Sequence, residues 1–144
     1  MHPYLEFAHK SELAYSAMCH ALCRELKLPQ TAFDILLFLA NNPECDTASD
    51  VVELRRIKAN LVSVNVNRLV EEGYLRRESI PGDRRKTRLL CTDKAQPIID
   101  RGRALQAQFA ERLLSGMSDE QRQAFTDAVS VIDRNLDQLL REVR

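Results

Sequence analysis

The segment from Thr47 to Thr92 restricts the fold more than any other part of the chain. Thr47 and Asp50 form a short-armed capping box, which predicts a brief helix through Leu54. The run IKANLVSVNVNRLVEEGYL comes next and has helical periodicity, with Gly73 as its C-terminal stop. The apolar face of this run consists of Ile57, Val62, Val66 and Leu69. Two short helices joined by a tight connection predict a helix-turn-helix.

The other face of the second helix is unusual for a surface in contact with solvent only. A solvated helix normally carries many Glu and Lys side chains. Here the side chains are mostly small or short and polar: Lys58, Asn60, Leu61, Ser63, Val64 and Asn67. Side chains of this size permit a close approach to another molecule, so these six residues form a candidate contact face.

A β-hairpin is predicted directly after the second helix. Tyr74–Ser79 and Lys86–Cys91 have strand character, and Pro81-Gly82-Asp83 supplies the turn between them. The tip of the hairpin carries a cluster of basic side chains: Arg84, Arg85, Lys86 and Arg88. We call this hairpin the wing.

Charge is unevenly distributed, although the chain has no formal net charge. Its 21 basic residues balance its 21 acidic residues. From Arg55 to Arg88, however, ten basic residues stand against four acidic ones, so this segment has six excess positive charges and the remainder six excess negative charges. Such a segregation predicts a polyanionic partner for the basic segment.

Helical patterns flank this segment on both sides. Residues 4–26 predict a first helix, and a second, largely buried helix has Pro29 in its first turn and ends after Ala40. Thr92 is a candidate cap for a later helix, in which Pro97 should remove one backbone bond and cause a bend near the start. The apolar residues of that helix are Ile98, Leu105, Phe109 and Leu113.

The last helix carries the clearest apolar stripe. It opens with a full capping box at Ser118-Asp119-Glu120-Gln121. Its apolar residues alternate at spacings of four and three, as in a coiled-coil seam: Phe125, Val129, Ile132, Leu136, Leu139 and Val143. The seam could pack on the first helix of the same chain or on a second copy. We favour the second copy, because an apolar seam on a terminal helix needs a partner to cover it.

The order of these elements and one motif resemble the MarR (multiple antibiotic resistance regulator) family. The motif is the wing signature D-x-R-x-x-x-[LV]-x-L-T, which Asp83, Arg85, Leu89 and Thr92 match. Cys91 replaces the second Leu of the signature. TASDVVEL and NRLVEEGYL also resemble the start of the family's helix-turn-helix and the end of its recognition helix. The chain departs from the family pattern at Ala95, where Gly is usual, and at Asn65, where an apolar residue is usual.

The resemblance implies a fold and a function for the whole chain. The fold is mainly α with a small β-hairpin wing: a winged helix-turn-helix lobe at 29–92, flanked in a single chain by dimerisation helices at 1–28 and 93–144. The function is that of a dimeric transcriptional regulator, by default a repressor, released by a small-molecule effector. The effector would bind between the dimerisation helices and the DNA-binding lobe. Candidate lining residues are chosen only because they lie on the first two helices: Tyr15, His20, Arg24 and Phe33.

The wing is expected to contact the DNA backbone and the minor groove. Duplex DNA carries one negative charge per roughly 1.7 Å of its axis, and a narrow minor groove attracts Arg. We expect Arg85 to enter the minor groove, and Asp83 to hold either the turn or the Arg85 side chain. Arg84, Lys86 and Arg88 are expected to contact phosphates.

The second helix of the predicted helix-turn-helix, which we call the recognition helix, is expected to read the base sequence. Asn60, Ser63 and Asn67 are the expected base readers, since Asn pairs bidentately with adenine, and Val64 should contact a thymine methyl group. Two copies related by a two-fold axis would bind a pseudo-palindromic operator with half-sites about 10 bp apart.

Two other functions remain open. The basic face of a winged helix could bind a protein instead of double-stranded DNA, and salt dependence would distinguish the two. A thiol-sensing or metal-sensing regulator is suggested by Cys19 and Cys23, one helical turn apart beside His20. A helical C-x-x-x-C with one His lacks a convincing ligand set, and a free Cys is commonly a small core residue. Cys91 should also face the core. We expect no metal and no cofactor.

An enzyme is the least favoured class of protein. The three His residues all fall within the first 20 positions, and the chain has no nucleophile elbow, phosphate loop or metal motif. The N-terminus lacks the apolar stretch of a signal peptide, and no segment approaches membrane-spanning length. We therefore expect a cytoplasmic protein with no membrane partner, whose four cysteines are reduced.

Overall fold

A computed structural model of the chain describes residues 1–143, with the exception of the Arg84 side chain. The elements follow in the order α1 (Pro3–Leu26), α2 (Gln30–Asn41), α3 (Ala48–Arg55), α4 (Ala59–Glu71), β1 (Leu75–Ile80), β2 (Asp83–Cys91), a 3-10 turn (Asp93–Ala95), α5 (Gln96–Leu113) and α6 (Asp119–Glu142). The predicted fold class is confirmed, because the described residues are mainly helical and include an antiparallel two-stranded hairpin.

The chain divides into two compact units, Met1–Ala107 and Gln108–Arg144. The apolar core lies in the first unit, and its centre is α2, which contributes Phe33, Ile35 and Leu36 with no exposed surface. Leu69 of α4 and Leu75 of β1 are buried in the same cluster. Burial of whole aliphatic and aromatic side chains contributes about 1.5–3 kcal/mol each, so this cluster holds the helices and the hairpin in place.

The helix-turn-helix is formed by α3 and α4. The predicted capping box at the start of α3 is confirmed: the Asp50 N–H donates to Thr47 Oγ1 over 3.2 Å, and the Thr47 N–H donates to Asp50 Oδ2 over 3.1 Å. Helix α4 begins at Ala59, so Ile57 precedes the helix and is only half-buried. At its other end Gly73 has a φ of +83°, a left-handed conformation that Gly adopts without strain, as the stop signal predicted.

The hairpin differs from the prediction in the start of its second strand. Strand β2 begins at Asp83, three residues before the predicted start at Lys86. Ser79 pairs with Thr87, whereas Ile80 pairs with Asp83, so residues 84–86 have no partners on β1. These residues interrupt the register between Ser79 and Ile80, and we call residues 84–86 the bulge. The basic tip of the wing is therefore a bulge within a strand.

Two predictions at the start of α5 are wrong. Thr92 occupies the N-cap position of the 3-10 turn, but its hydroxyl makes no cap and donates to the Gly73 carbonyl instead. This bond ties the end of the wing to the end of α4. Helix α5 itself starts only at Gln96, so Pro97 lies in its first turn, where a missing N–H removes no helical bond.

Helix α6 begins with the predicted capping box. Ser118 Oγ accepts from the Gln121 N–H over 3.2 Å, and Gln121 Oε1 accepts from the Ser118 N–H over 2.9 Å. Most of its predicted apolar seam is exposed: Val129, Ile132, Leu136, Leu139 and Val143. None of the helices within residues 1–143 is long and apolar enough to cross a membrane.

Candidate nucleic-acid interface

The outer face of α4 is open to solvent along its length. All six residues predicted for this face are exposed: Lys58, Asn60, Leu61, Ser63, Val64 and Asn67. Apolar Val64 is 66% exposed, which is unfavourable in water unless a partner covers the side chain. The buried face of α4 includes Asn65, whose Nδ2 donates to the Leu61 carbonyl over 2.8 Å. This bond explains how the core accepts a polar residue where the MarR pattern has an apolar one.

The wing tip is held by a hydrogen bond across the bulge. Asp83 Oδ1 accepts from the Arg85 backbone N–H over 2.9 Å. Of the two functions considered for Asp83, the structure thus shows a bond to the backbone of the turn. The side chains of Arg85 and Lys86 are exposed. The side chain of Arg84, the third basic residue of the bulge, lies outside the part of the chain that the structure describes.

Arg88 connects the wing to the segment that precedes α3. Its Nε donates to Asp46 Oδ2 over 2.7 Å, and its guanidinium also lies 3.8 Å from Glu78 Oε1. The Leu89 N–H donates to the Asp46 carbonyl over 2.7 Å, which adds a backbone bond at the same place. Pairing with Asp46 raises the pKa of Arg88. A phosphate contact of Arg88 stays a prediction, but its charge is already partly neutralised within the chain.

A groove of about 570 Å³ runs between the helix-turn-helix and the wing. Ser63 of α4, Arg77 of β1 and the bulge residues Arg85 and Lys86 line it. The predicted helix face and the predicted wing tip therefore border the same groove. The sequence predicted no specific function for Arg77, which is one of the ten basic residues of the segment from Arg55 to Arg88. Its position on the predicted strand that directly follows the second helix could have indicated that it lies beside that helix.

The four candidate effector residues do not line a common cavity. Tyr15 lines a cleft of about 110 Å³, whereas His20 and Arg24 line a different cavity of about 310 Å³. Phe33 is fully buried in the core. The structure thus separates residues that the sequence grouped by helix alone, and their contact with an effector stays a prediction.

The cleft at Tyr15 brings together polar groups from four helices of the first unit. Asp34 of α2, Arg55 of α3 and Gln106 of α5 line it with Tyr15 of α1. Gln106 Nε2 donates to the Tyr15 hydroxyl over 3.2 Å. Burial raises the pKa of Tyr15 to about 12. Burial also raises the pKa of Asp34, although the positive charge of Arg55 opposes this shift.

Cys19 and Cys23 are buried beneath the surface of α1. Burial raises the pKa of both thiols, that of Cys23 to about 11. A thiol with a raised pKa is protonated at neutral pH and is a weak nucleophile. Cys91, expected to face the core, is partly buried against it. Within residues 1–143, no three His, Cys, Asp or Glu side chains are grouped so that they could hold a metal ion.

Comparisons with known proteins agree with this geometry. A model of the MarR family matches residues 26–86, which include the helix-turn-helix and most of the wing. The HTH-type transcriptional regulator PecS of Dickeya dadantii is 28% identical over 112 residues, covering 76% of this chain and 68% of that protein. The transcriptional regulator SlyA has a similar fold, with a TM-score of 0.83, 16% identity and 99% of each chain covered. So does a MarR-family regulator from Listeria monocytogenes in complex with a 26mer DNA, with a TM-score of 0.81, 18% identity, and 94% of this chain and 90% of that chain covered. Residues 26–86 therefore match the MarR family model, and the described chain has the fold of these solved regulators.

Proposed function

We propose that this regulator binds a pseudo-palindromic operator in double-stranded DNA as a homodimer and represses transcription from it. The observation that carries the proposal is the groove that Ser63, Arg77, Arg85 and Lys86 share. A recognition helix in the major groove and a wing in the adjacent minor groove both have to face the same side of the protein. The similar regulator from Listeria monocytogenes has been solved with a 26mer DNA, which supports a duplex as the partner.

The contacts divide into backbone contacts and base contacts. Lys86 and Arg84 contact phosphates, which fix the register of the protein on the duplex. Arg85 enters the minor groove, and the bond from its N–H to Asp83 keeps the bulge in the conformation that presents it. Asn60, Ser63 and Asn67 read base edges in the major groove, and Val64 contacts a thymine methyl group.

The exposed apolar seam of α6 supports dimerisation. Ile132, Leu136 and Leu139 are each more than half exposed, and this much exposed apolar surface on one helix is unfavourable in an isolated chain. A two-fold dimer places two recognition helices on the same side of the duplex, with half-sites about 10 bp apart. A dimer bound to a promoter would exclude RNA polymerase and so repress transcription. The protein would act in the cytoplasm.

Release by a small effector is part of the proposal. The cleft at Tyr15 supports it, because the cleft joins α1, α2 and α5 to Arg55 at the end of the first helix of the helix-turn-helix. A ligand that changes the position of Arg55 would change the position of α3 and with it the DNA-binding face. Of the four residues predicted from sequence, we retain only Tyr15 as an effector contact.

The test is selection of bound duplexes from a random-sequence library, followed by affinity measurements over a range of salt concentrations. We expect enrichment of an inverted repeat. Arg85→Ala should cost about 1–3 kcal/mol of binding free energy and lower the salt slope by about one. Arg112→Ala, which removes an exposed arginine from α5, is the matched control and should leave the affinity unchanged.

Two results would contradict the proposal. Absence of any enriched sequence with folded, dimeric protein would favour the protein-interaction module. Equal effects of Arg85→Ala and Arg112→Ala would show that the wing makes no specific contribution to DNA binding.

A further inference from the structure

Arg77 makes a contact that changes the interpretation of the recognition helix. Its guanidinium Nη2 donates to Oδ1 of Asn67, one of the three expected base readers. Arg77 lies on β1 and Asn67 on α4, ten residues earlier, and both side chains are exposed. The contact therefore joins the wing to the outer face of the recognition helix at the border of the shared groove.

The chemistry of the pair fixes the orientation of the Asn67 amide. An Asn side chain has an oxygen that accepts and a nitrogen that donates, and a free amide can present either atom by a rotation about its last torsion. A guanidinium has only donors, so the atom that faces Arg77 must be the oxygen. The carboxamide is planar, so a fixed oxygen also fixes the direction of the N–H groups.

We propose that Arg77 is a specificity-determining residue that acts on the DNA sequence through Asn67. It is a positioning residue: it holds the amide so that one edge, with an N–H group and the second lone pair of the oxygen, is available to a base. Adenine takes this donor–acceptor pair through N7 and N6. Without Arg77 the amide would rotate between two orientations, and its discrimination between bases would fall. This inference rests on the proposed function, because it assumes that α4 reads DNA.

A direct phosphate contact is the alternative explanation for an exposed arginine beside the groove. The two explanations predict different measurements. A phosphate contact lowers the affinity for all sequences equally and reduces the salt slope by about one. A positioning residue instead lowers the preference at one base pair in each half-site, namely the base pair that Asn67 reads.

The chain provides a matched control in the neighbouring residue. Successive residues of a strand point to opposite faces, so Arg76 lies on the other face of the hairpin. There its Nη1 donates to Glu78 Oε2 over 3.1 Å. Arg76→Ala removes the same charge from the same strand without touching Asn67.

The experiment is selection from the random duplex library with the dimeric full chain and five variants: Asn67→Ala, Arg77→Ala, Arg77→Lys, Arg76→Ala and the double variant Asn67→Ala/Arg77→Ala. Asn67→Ala identifies the base pair that Asn67 reads. Arg77→Ala should reduce the preference at that base pair by about tenfold, a typical value for one bidentate contact. The double variant should lose no more preference at that base pair than Asn67→Ala alone, because Arg77 acts there only through Asn67. Arg77→Lys keeps the charge and the N–H donors but replaces the planar guanidinium by an ammonium on a flexible stem, so it should restore the preference only in part. Arg76→Ala should resemble the wild type.

Three results would overturn the inference. One is an unchanged base preference in Arg77→Ala, with affinity lost for all sequences and restored in Arg77→Lys. Another is a greater loss of preference at the same base pair in the double variant than in Asn67→Ala. A third is an Asn67→Ala variant with no altered base pair, since Arg77 could then not act through Asn67. If the wild-type protein itself selects no sequence, the proposed function fails, and this result is distinguishable from the other three.

Discussion

Gly102 of α5 lies where the chain has no room for a side chain. A Cβ atom at this position would lie 2.7 Å from both methyl carbons of Leu37 and 2.9 Å from its Cγ. Leu37 is only 3% exposed, so it has little freedom to move away. Gly102→Ala would gain about 1 kcal/mol in helix propensity but introduce overpacking that typically costs about 1–3 kcal/mol. We expect a net loss of about 1 kcal/mol, or roughly 4 °C in melting temperature for a chain of this size.

The assay is thermal and urea unfolding of Gly102→Ala with and without Leu37→Ala. Leu37→Ala removes all three atoms that the new methyl group would contact. In that background Gly102→Ala should therefore increase the free energy of unfolding by about 1 kcal/mol, the helix-propensity gain alone. If Gly102→Ala also stabilises the chain that retains Leu37 by about 1 kcal/mol, the explanation that Leu37 leaves no room for a side chain at Gly102 is refuted.

Three further predictions follow from burial and charge. At pH 8 a thiol reagent should modify the partly exposed Cys45 quickly and the buried Cys19 and Cys23 only after unfolding, and rapid native modification of Cys19 or Cys23 would revive the thiol-sensing alternative. Because burial raises the folded-state pKa of Asp34, stability falls as the pH rises from the ordinary Asp pKa to the raised one, and the loss is complete above it, so Asp34→Asn should raise the melting temperature at pH 7. That gain should fade as the pH falls towards the ordinary Asp pKa of about 3.9, and a gain independent of pH would refute the explanation. Leu136→Arg places a charge in the α6 seam and should shift the mass in sedimentation from dimer to monomer, whereas an unchanged dimer would exclude this seam as the interface.

The sequence predicted helix ends correctly where the interactions that form them join residues close together in the chain. The capping boxes at Thr47 and Ser118 depend on residues three positions apart, and both are present in the structure. Gly73 stops α4 because its own backbone adopts a positive φ. The start of β2 was missed, because a bulge is defined by which residues pair across two strands, and the sequence of one strand does not contain that information.

The direction in which each side chain points could not be predicted from the sequence at the candidate site. Tyr15, His20 and Phe33 belong to the first two helices, and from the sequence any of them could face a common cavity. The structure puts Phe33 in the core and the other two residues in separate cavities. Helical periodicity identifies which residues share a face, but it does not identify which element that face meets. The hydroxyl of Thr92 was misassigned for the same reason, since its acceptor lies 19 residues away.

Charge counting along the sequence overestimates the charge that the wing offers to DNA. Arg88 was counted with the basic tip, but Asp46, 42 residues earlier, and Glu78 on the opposite strand are both paired with it. Arg77, counted only as one of ten charges, instead donates to Asn67 on the exposed face of α4. Ion pairs between partly exposed groups contribute little to stability, about 0–1 kcal/mol each, so their main effect is on geometry. We therefore propose two functions for the basic segment: Arg85 enters the minor groove and Lys86 contacts phosphates, whereas Arg88 and Arg77 hold the wing and the Asn67 side chain in position.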